Sequence, residues 1–297
     1  MNNSIDLHMH SRYSDDGEFT PTELVEKCIA SGIRTMSITD HNTVRANDEA
    51  QKEANKREIR YIPGIEIDCV FQNVNLHVLG YGIKYESRDF AEIEKNIDDQ
   101  SFDASLKMLA KTQALGFQIS ENDMCKVSKN NFWQGRWTGE MFAEVLLNNP
   151  AYNKHPLLGP YRTGEGGSNN PYVDFYWDYY SQGKPCYVKI DYPFLEDIID
   201  IIHGNGGKAV LAHPNVNLEN HYGLLRRLIG AGIDGIEAFS SYHTPSQAFH
   251  FFREAQDAKL FVTCGSDFHG KIKPSISLGQ HGCFITESEL LSCLNHI

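Results

Sequence analysis

The stretch "IDLHMHSRYSDDGEFTP", residues 5–21, reads as a complete strand, turn and helix start. Residues 4–7 are a short β-type run. His8 and His10 stand two apart, so an extended backbone puts both imidazoles on one face. Ser14-Asp-Asp-Gly17 is a turn that can aim a carboxylate back toward them. Thr20 is a plausible N-cap, Pro21 sits at the first helical position, and Glu23 completes a capping box.

The same tempo repeats outward. Leu24, Cys28 and Ile29 give the helix an apolar stripe and Gly32 closes it. "IRTMSITDHNT" is a strand running into a loop, and a charged helix is expected from about Val44 to Arg57. "IRYIPGIEIDCVF" and "NLHVLGYGI" are apolar β-type runs. After about Ile97 the tempo breaks, and residues 98–185 read as mostly helical and loop-like. It returns with "FLEDIIDIIHGNGGKAVLAHP", "GLLRRLIGAGIDGIEAF" and "PSQAFHFFREAQDAKLFVTCGSDFH". Alternating strands and helices predict an α/β barrel or a doubly wound sheet.

Composition narrows the function classes. The 297 residues carry a formal net charge of −12, which argues against broad capture of nucleic acid or anionic membrane. Seven cysteines fall at 28, 69, 125, 186, 264, 283 and 293 with no CxxC pair, a pattern that predicts reduced thiols and a cytoplasmic protein. The N-terminus lacks the basic and apolar regions of a signal peptide, and no apolar run is long enough to span a bilayer. "TGEGGSNN", residues 163–170, is Gly-rich but lacks the Lys-Ser/Thr ending of a triphosphate cradle.

Histidines and acids recur just after the predicted strands: His8 and His10, Asp40 and His41, Glu66, His77, His213, Asp267 and His269. In an α/β barrel such positions gather on one face. A lone His-x-His is a weak metal signal; its repetition at successive strand ends is not. Imidazole and carboxylate suit manganese, iron or zinc, and this many donors exceed the needs of one ion. Two or three divalent ions are expected. Clustered ions clamp a phosphoryl group and activate water for in-line attack.

Taken in order, "DLHMHSRYSDDGEFTP", "ITDH", "IPGIEI", "LHVLGY", "AHP" and "GSDFH" resemble the PHP (polymerase and histidinol phosphatase) superfamily, over residues 5–82 and 186–282. The similarity is greatest to its stand-alone phosphoesterases with a helical insertion. The resemblance implies a distorted TIM-like barrel of seven βα units over residues 1–97 and 186–297, with residues 98–185 as a helical insertion domain. It implies a trinuclear metal centre: His8, His10, Glu66 and Asp267 at one ion, Glu66, His77 and His213 at a second, and Asp15, His41 and His269 at a third. "SDDG" has one Asp more than the common "SDG". Spacing from His10 favours Asp15, adjacency to Gly17 favours Asp16, and Asp15 is taken. Asp40 is read as orienting a ligand imidazole.

The expected reaction is hydrolysis of a phosphate monoester by a hydroxide bridging the metals. Members of that branch act on nucleoside 3′,5′-bisphosphates, and some trim short RNA from its 5′ end. A 5′-monophosphate, short RNA and a histidinol-phosphate-type ester stay open as substrates, and a non-catalytic metal-binding module is the reading from another class. His243 in "SSYHTP" is a candidate acid or substrate contact, and Glu237 a strand-end acid in support. Arg136, Arg162 and Lys184 are candidate partners for a second phosphate. "YVDFYWDYY" is either a base-stacking platform or packing between the insertion and the barrel. No heptad seam or interface patch fixes an oligomeric state.

Overall fold

The computed structural model describes residues 4–162, 167–219 and 221–294. Residues 163–166 of the Gly-rich run lie outside them.

The first sheet is parallel. β1 (Ile5–Asp6), α1 (Pro21–Ala30), β2 (Thr35–Met36), α2 (Ala46–Lys56) and β3 (Arg60–Tyr61) alternate, and the strand order is β1-β2-β3. Thr20 caps α1 through the capping box with Glu23, and Leu24, Val25 and Cys28 bury its inner face. They pack with Met9, Met36, Ile38 and the alanines of α2.

β4 (Gly64–Phe71) and β5 (Val74–Tyr81) then form an antiparallel hairpin. Its two-residue loop, Gln72–Asn73, holds both residues at positive φ (51° and 67°), the left-handed pair that matches hairpin twist. This departs from the expected run of parallel βα units. The sequence hides the hairpin because neither loop residue is glycine.

The chain next leaves the sheets. α3 (Arg88–Ala114), α4 (Glu121–Val127), α5 (Gly139–Asn148) and α6 (Pro171–Tyr179) form a helical layer. Leu109, Phe117, Met124, Trp137, Phe142, Leu146, Phe175 and Tyr180 give it a hydrophobic core of its own. The boundary expected at residue 97 falls inside α3. Phe90 and Ile93 of α3 pack into the sheet core, and Leu109 into the helical one. Between them, Ser101 Oγ donates back to the Ile97 carbonyl and Ser105 Oγ to that of Ser101, each at 2.7 Å.

α7 (Leu195–Gly204), β6 (Lys208–Leu211), α8 (Pro214–Asn217), α9 (Leu225–Ala231), β7 (Gly235–Ser240), α10 (Pro245–Ala258), β8 (Phe261–Gly265) and α11 (Glu287–Leu294) complete the chain. β5 pairs antiparallel with β6, and β6, β7 and β8 are parallel, giving the order β4-β5-β6-β7-β8. The fold is mixed α/β with two sheets. They meet at both edges: Leu7 N–H donates to Cys264 O at 3.0 Å, and Glu66 N–H to Asp40 O at 3.1 Å. Among the described residues no helix is long and apolar enough to cross a membrane.

One buried side chain ties α2 to the start of β4. Asn47 is 1% exposed. Its amide donates to Val44 O and Gly64 O, and its Oδ1 accepts from Gly64 N–H and Tyr61 O–H, all at 2.9–3.0 Å. Asn47→Ala strands buried donors and acceptors that water cannot reach. We expect it to cost about 2–4 kcal/mol, read as a lower urea midpoint at unchanged m-value.

Candidate metal centre

Beyond β1, Leu7 N–H donates to Cys264 O and Met9 bridges Phe268 in parallel, and His8 and His10 on either side of Met9 are both fully buried and reach the same two carboxylates. β8 passes so close to His8 that a Cβ on Gly265 would lie 2.1 Å from the His8 Cβ. Asp267, two residues on, is held at φ 57°, a left-handed conformation that costs energy for a residue with a Cβ.

Four side chains converge there. His8 Nε2 lies 3.0 Å from Glu66 Oε2 and 3.2 Å from Asp267 Oδ1. His10 Nε2 lies 3.1 Å from each of the same two oxygens. Yet His10 Nε2 and Asp267 Oδ1 make no hydrogen bond in spite of being buried. They belong instead to a cluster of donor atoms from His8, His10, Glu66 and Asp267 that all lie within 4.8 Å of one another. Donor atoms held about 2.1 Å from one ion lie about 3 Å apart, so this spacing fits a bound metal.

Glu66 is shared. Its Oε1 lies 3.1 Å from His77 Nδ1 and from His213 Nε2, and His41 Nδ1 is 3.6 Å from Oε2. A further group brings together His10, Asp16, His41 and His269. His269 Nε2 is 3.0 Å from Asp16 Oδ2, and the His10 and His269 rings stack with centroids 3.9 Å apart. Buried nitrogens on His41, His213 and His269 also lack hydrogen-bond partners. Such an all-imidazole and carboxylate donor set, with no thiolate, fits manganese, iron or zinc.

Outer contacts fix which imidazole nitrogen is free. His8 Nδ1 sits 3.0 Å from Glu237 Oε1, His10 Nδ1 3.2 Å from Ser14 Oγ, and His269 Nδ1 2.9 Å from the Asp267 carbonyl. With Nδ1 donating in each, Nε2 keeps its lone pair for a metal. Glu237 Oε2 also accepts from His213 N–H at 2.7 Å. Burial, reinforced by the neighbouring His269, lowers His10 to about 4 and keeps it neutral. Burial opposes ionisation of Glu66, but His8, His41 and His77 hold it well below the usual carboxylate range.

The turn after His10 separates Asp15 from Asp16. Gly17 closes it, since a Cβ there would lie 1.9 Å from the Ser11 carbonyl oxygen. Asp16 reaches His269, and that imidazole overrides burial to hold Asp16 well below its ordinary value. Asp15 turns the other way, to Arg136 at 3.3 Å, and burial pushes its pKa up. The structure thus puts Asp16 where the sequence reading expects Asp15. Of the other expected ligands, all eight are brought to this face.

The remaining candidates scatter. His243 spends both nitrogens on backbone, with Nδ1 2.9 Å from Ala238 O and Nε2 accepting from Asn215 N–H at 3.3 Å. It braces the loop behind His213, and burial lowers it to about 4. Asp40 accepts from Ser11 N–H and O–H at 2.6 and 2.7 Å, so it holds the chain after His10 and orients no imidazole. Arg162 donates to the carbonyls of Leu147 and Tyr152 and ties down the end of α5. Lys184 is exposed and outside the cleft that opens from the metal face. Arg136 is buried in that cleft, stacked 4.4 Å from the Trp133 ring.

Sequence reasoning missed four residues of the site. Asp68 lies 3.2 Å from His77 Nε2; it stands two after Glu66 on β4, so strand parity could have found it. Tyr242 and Lys273 both donate to Asp267 Oδ2, at 2.5 and 2.6 Å. Glu140, in the first turn of α5, lines the cleft. No local motif marks these three.

Comparison with known proteins places the chain among phosphoesterases. The PHP domain matches residues 6–152. A 3′,5′-nucleoside bisphosphate phosphatase of Chromobacterium violaceum is 30% identical over 270 residues, covering 90% of this chain and 87% of that one. The 5′-3′ exoribonuclease Rnm of Salmonella typhimurium is 30% identical over 285 residues, covering 93% and 88%. In fold, the chain resembles a protein of Bifidobacterium adolescentis provisionally described as a metal-dependent phosphoesterase. That match has a TM-score of 0.77 at 24% identity and covers 98% of this chain and 96% of that one.

The two aspartates give a direct test. Asp16→Asn should lower the divalent metal retained after dialysis, measured by plasma mass spectrometry, and Asp15→Asn should leave it unchanged. Glu66→Gln should lose more metal than either, since its carboxylate serves several donor groups at once. Equal loss in the two aspartate variants would refute the assignment.

Proposed function

The chain belongs to the PHP domain family, and on that premise we propose that its metal face removes a phosphate from a small nucleotide, best a nucleoside 3′,5′-bisphosphate. It is a metal-dependent phosphoesterase, a hydrolase. The two sheets read best as parts of one distorted barrel; the hydrogen bonds at both edges support this. Cysteines without disulfides support a cytoplasmic setting.

His8, His10, Glu66 and Asp267 would hold one ion, Glu66 with His77 and His213 a second, and Asp16, His41 and His269 a third. Bound there, the ions would neutralise phosphoryl charge and lower the pKa of an attacking water. The chain's own side chains do the rest. Glu237, Ser14 and the Asp267 carbonyl keep three imidazoles in the tautomer that offers Nε2.

The observation that carries the substrate reading is Arg136. The residue is 6% exposed, lines the cleft beside the metal face, and keeps its Nε without a partner. It pairs with Asp15 at 3.3 Å and lies 3.8 Å from Asp98, and neither contact uses Nε. A planar fork of this kind takes a second phosphate in bidentate fashion. Tyr176, Trp177, Tyr180, Tyr187 and Tyr192 line the same cleft and offer faces for a base. Glu140 fits the proton-donor role expected of His243: burial, with Asp16 pushing the same way, raises its carboxyl to about 7, so it can carry a proton at neutral pH.

The name of the Chromobacterium violaceum relative supports a bisphosphate, and that of the Salmonella typhimurium relative supports short RNA. The net charge of −12 weighs against long RNA. Phosphate release by the manganese-loaded protein should therefore be faster from adenosine 3′,5′-bisphosphate than from AMP, histidinol phosphate or 5′-phosphorylated tetranucleotides. Arg136→Met should raise KM for the bisphosphate about 10- to 100-fold and change KM for AMP much less. Equal effects on both substrates would overturn the second-phosphate role.

A further inference from the structure

We propose that Lys273 is a phosphate-binding residue of this site, its ammonium shared between the Asp267 carboxylate and a phosphoryl oxygen in the cleft. The proposal rests on the phosphoesterase reading and adds to it a residue beyond the metal donors and Arg136.

Placement comes first. After His269 a 3-10 turn, Gly270–Ile272, folds the chain back so that Lys273 returns to Asp267. The turn is braced from both sides. Lys271 N–H donates to Glu18 at 2.7 Å, and Lys271 Nζ grips both carboxylate oxygens of Glu144 on α5 at 2.9 Å. Gly270 takes φ 70° there, and a Cβ on it would lie 2.2 Å from Glu18 Oε2. Lys273 is consequently fixed in place and 7% exposed, an uncommon state for an ammonium.

Orienting Asp267 does not account for that burial. Asp267 Oδ2 already accepts from the Tyr242 hydroxyl at 2.5 Å. Lys273 gives the same oxygen one hydrogen bond at 2.6 Å, out of three N–H donors. Lys273 and Arg136 are the only lysine or arginine among the described residues lining the cleft. Arg136 stands by Asp15 and Trp133; Lys273 stands directly against a metal-donor carboxylate, where the reacting phosphate would lie.

Electrostatics gives the proposal a distinctive sign. A cation hydrogen-bonded to a donor carboxylate repels a divalent ion and weakens its binding. Were orientation of Asp267 its main contribution, removing it would free that carboxylate to move and weaken metal binding. Lys273 therefore acts against metal retention, and its positive charge serves an incoming anion.

Full-length Lys273→Met and Lys273→Arg proteins test this in two measurements. Competition with a fluorescent chelator, without phosphate, should show Lys273→Met binding Mn2+ about 3- to 10-fold tighter than the wild type, with Lys273→Arg unchanged. Calorimetry of the manganese-loaded proteins with inorganic phosphate should show affinity about 10-fold weaker in Lys273→Met and kept in Lys273→Arg. Weaker or equal Mn2+ binding by Lys273→Met overturns the proposal. So does unchanged phosphate affinity, or a wild type that binds no phosphate. Neither measurement needs turnover, so a protein that hydrolyses none of the nucleotides would refute the substrate reading while leaving Lys273 separately decided.

Discussion

Glu66 is a carboxylate with no exposure to water, facing five imidazoles: His8, His10, His41, His77 and His213. Taking that charge out of water alone would cost several kcal/mol, and the surrounding rings must offset it. The same residue also carries a seam of the backbone. Its N–H donates to Asp40 O and its carbonyl accepts from Asn42 N–H, so β4 meets the first sheet at the residue that gathers the metal donors. Sheet assembly and site assembly are therefore one event. A register slip of one residue on β4 would turn Glu66 away from all five rings.

Much of this was legible in the residues because strand parity is a strict rule. His8 and His10, read as a continuation of the first strand, had to be near neighbours, and the capping box at Thr20 fixed where α1 begins. Parity fails at turns. Asp15 and Asp16 are adjacent, and only the close packing of Gly17 against Ser11 decides which one faces the rings. The β4–β5 hairpin escaped notice for a related reason: Gln72 and Asn73 adopt left-handed backbone without the glycine that usually announces it.

Side-chain roles at a distance were less readable still. His243 follows a strand as the donors do, but its ring lies where the backbone of Ala238 and Asn215 uses both nitrogens. Arg162 and Arg136 have the same chemistry in the same helical layer; one ends on carbonyls of that layer and the other in the cleft. Lys273 depends on a turn braced by Glu18 and Glu144, residues more than a hundred positions away. Such roles are properties of packing, and no local pattern encodes them.

The helical layer and the sheets are joined through α3, which is rooted in both hydrophobic cores. Its middle is where the serine hydroxyls of residues 101 and 105 compete for backbone carbonyls, an arrangement that bends helices. Ile97, Ser101, Ala104 and Ser105 also form a wall of the cleft. α3 is thus anchored at both ends, with its back-bonded serine turns beside the cleft. Substitutions at positions 101 and 105 would reshape that wall of the cleft without touching any of the clustered histidines and acids.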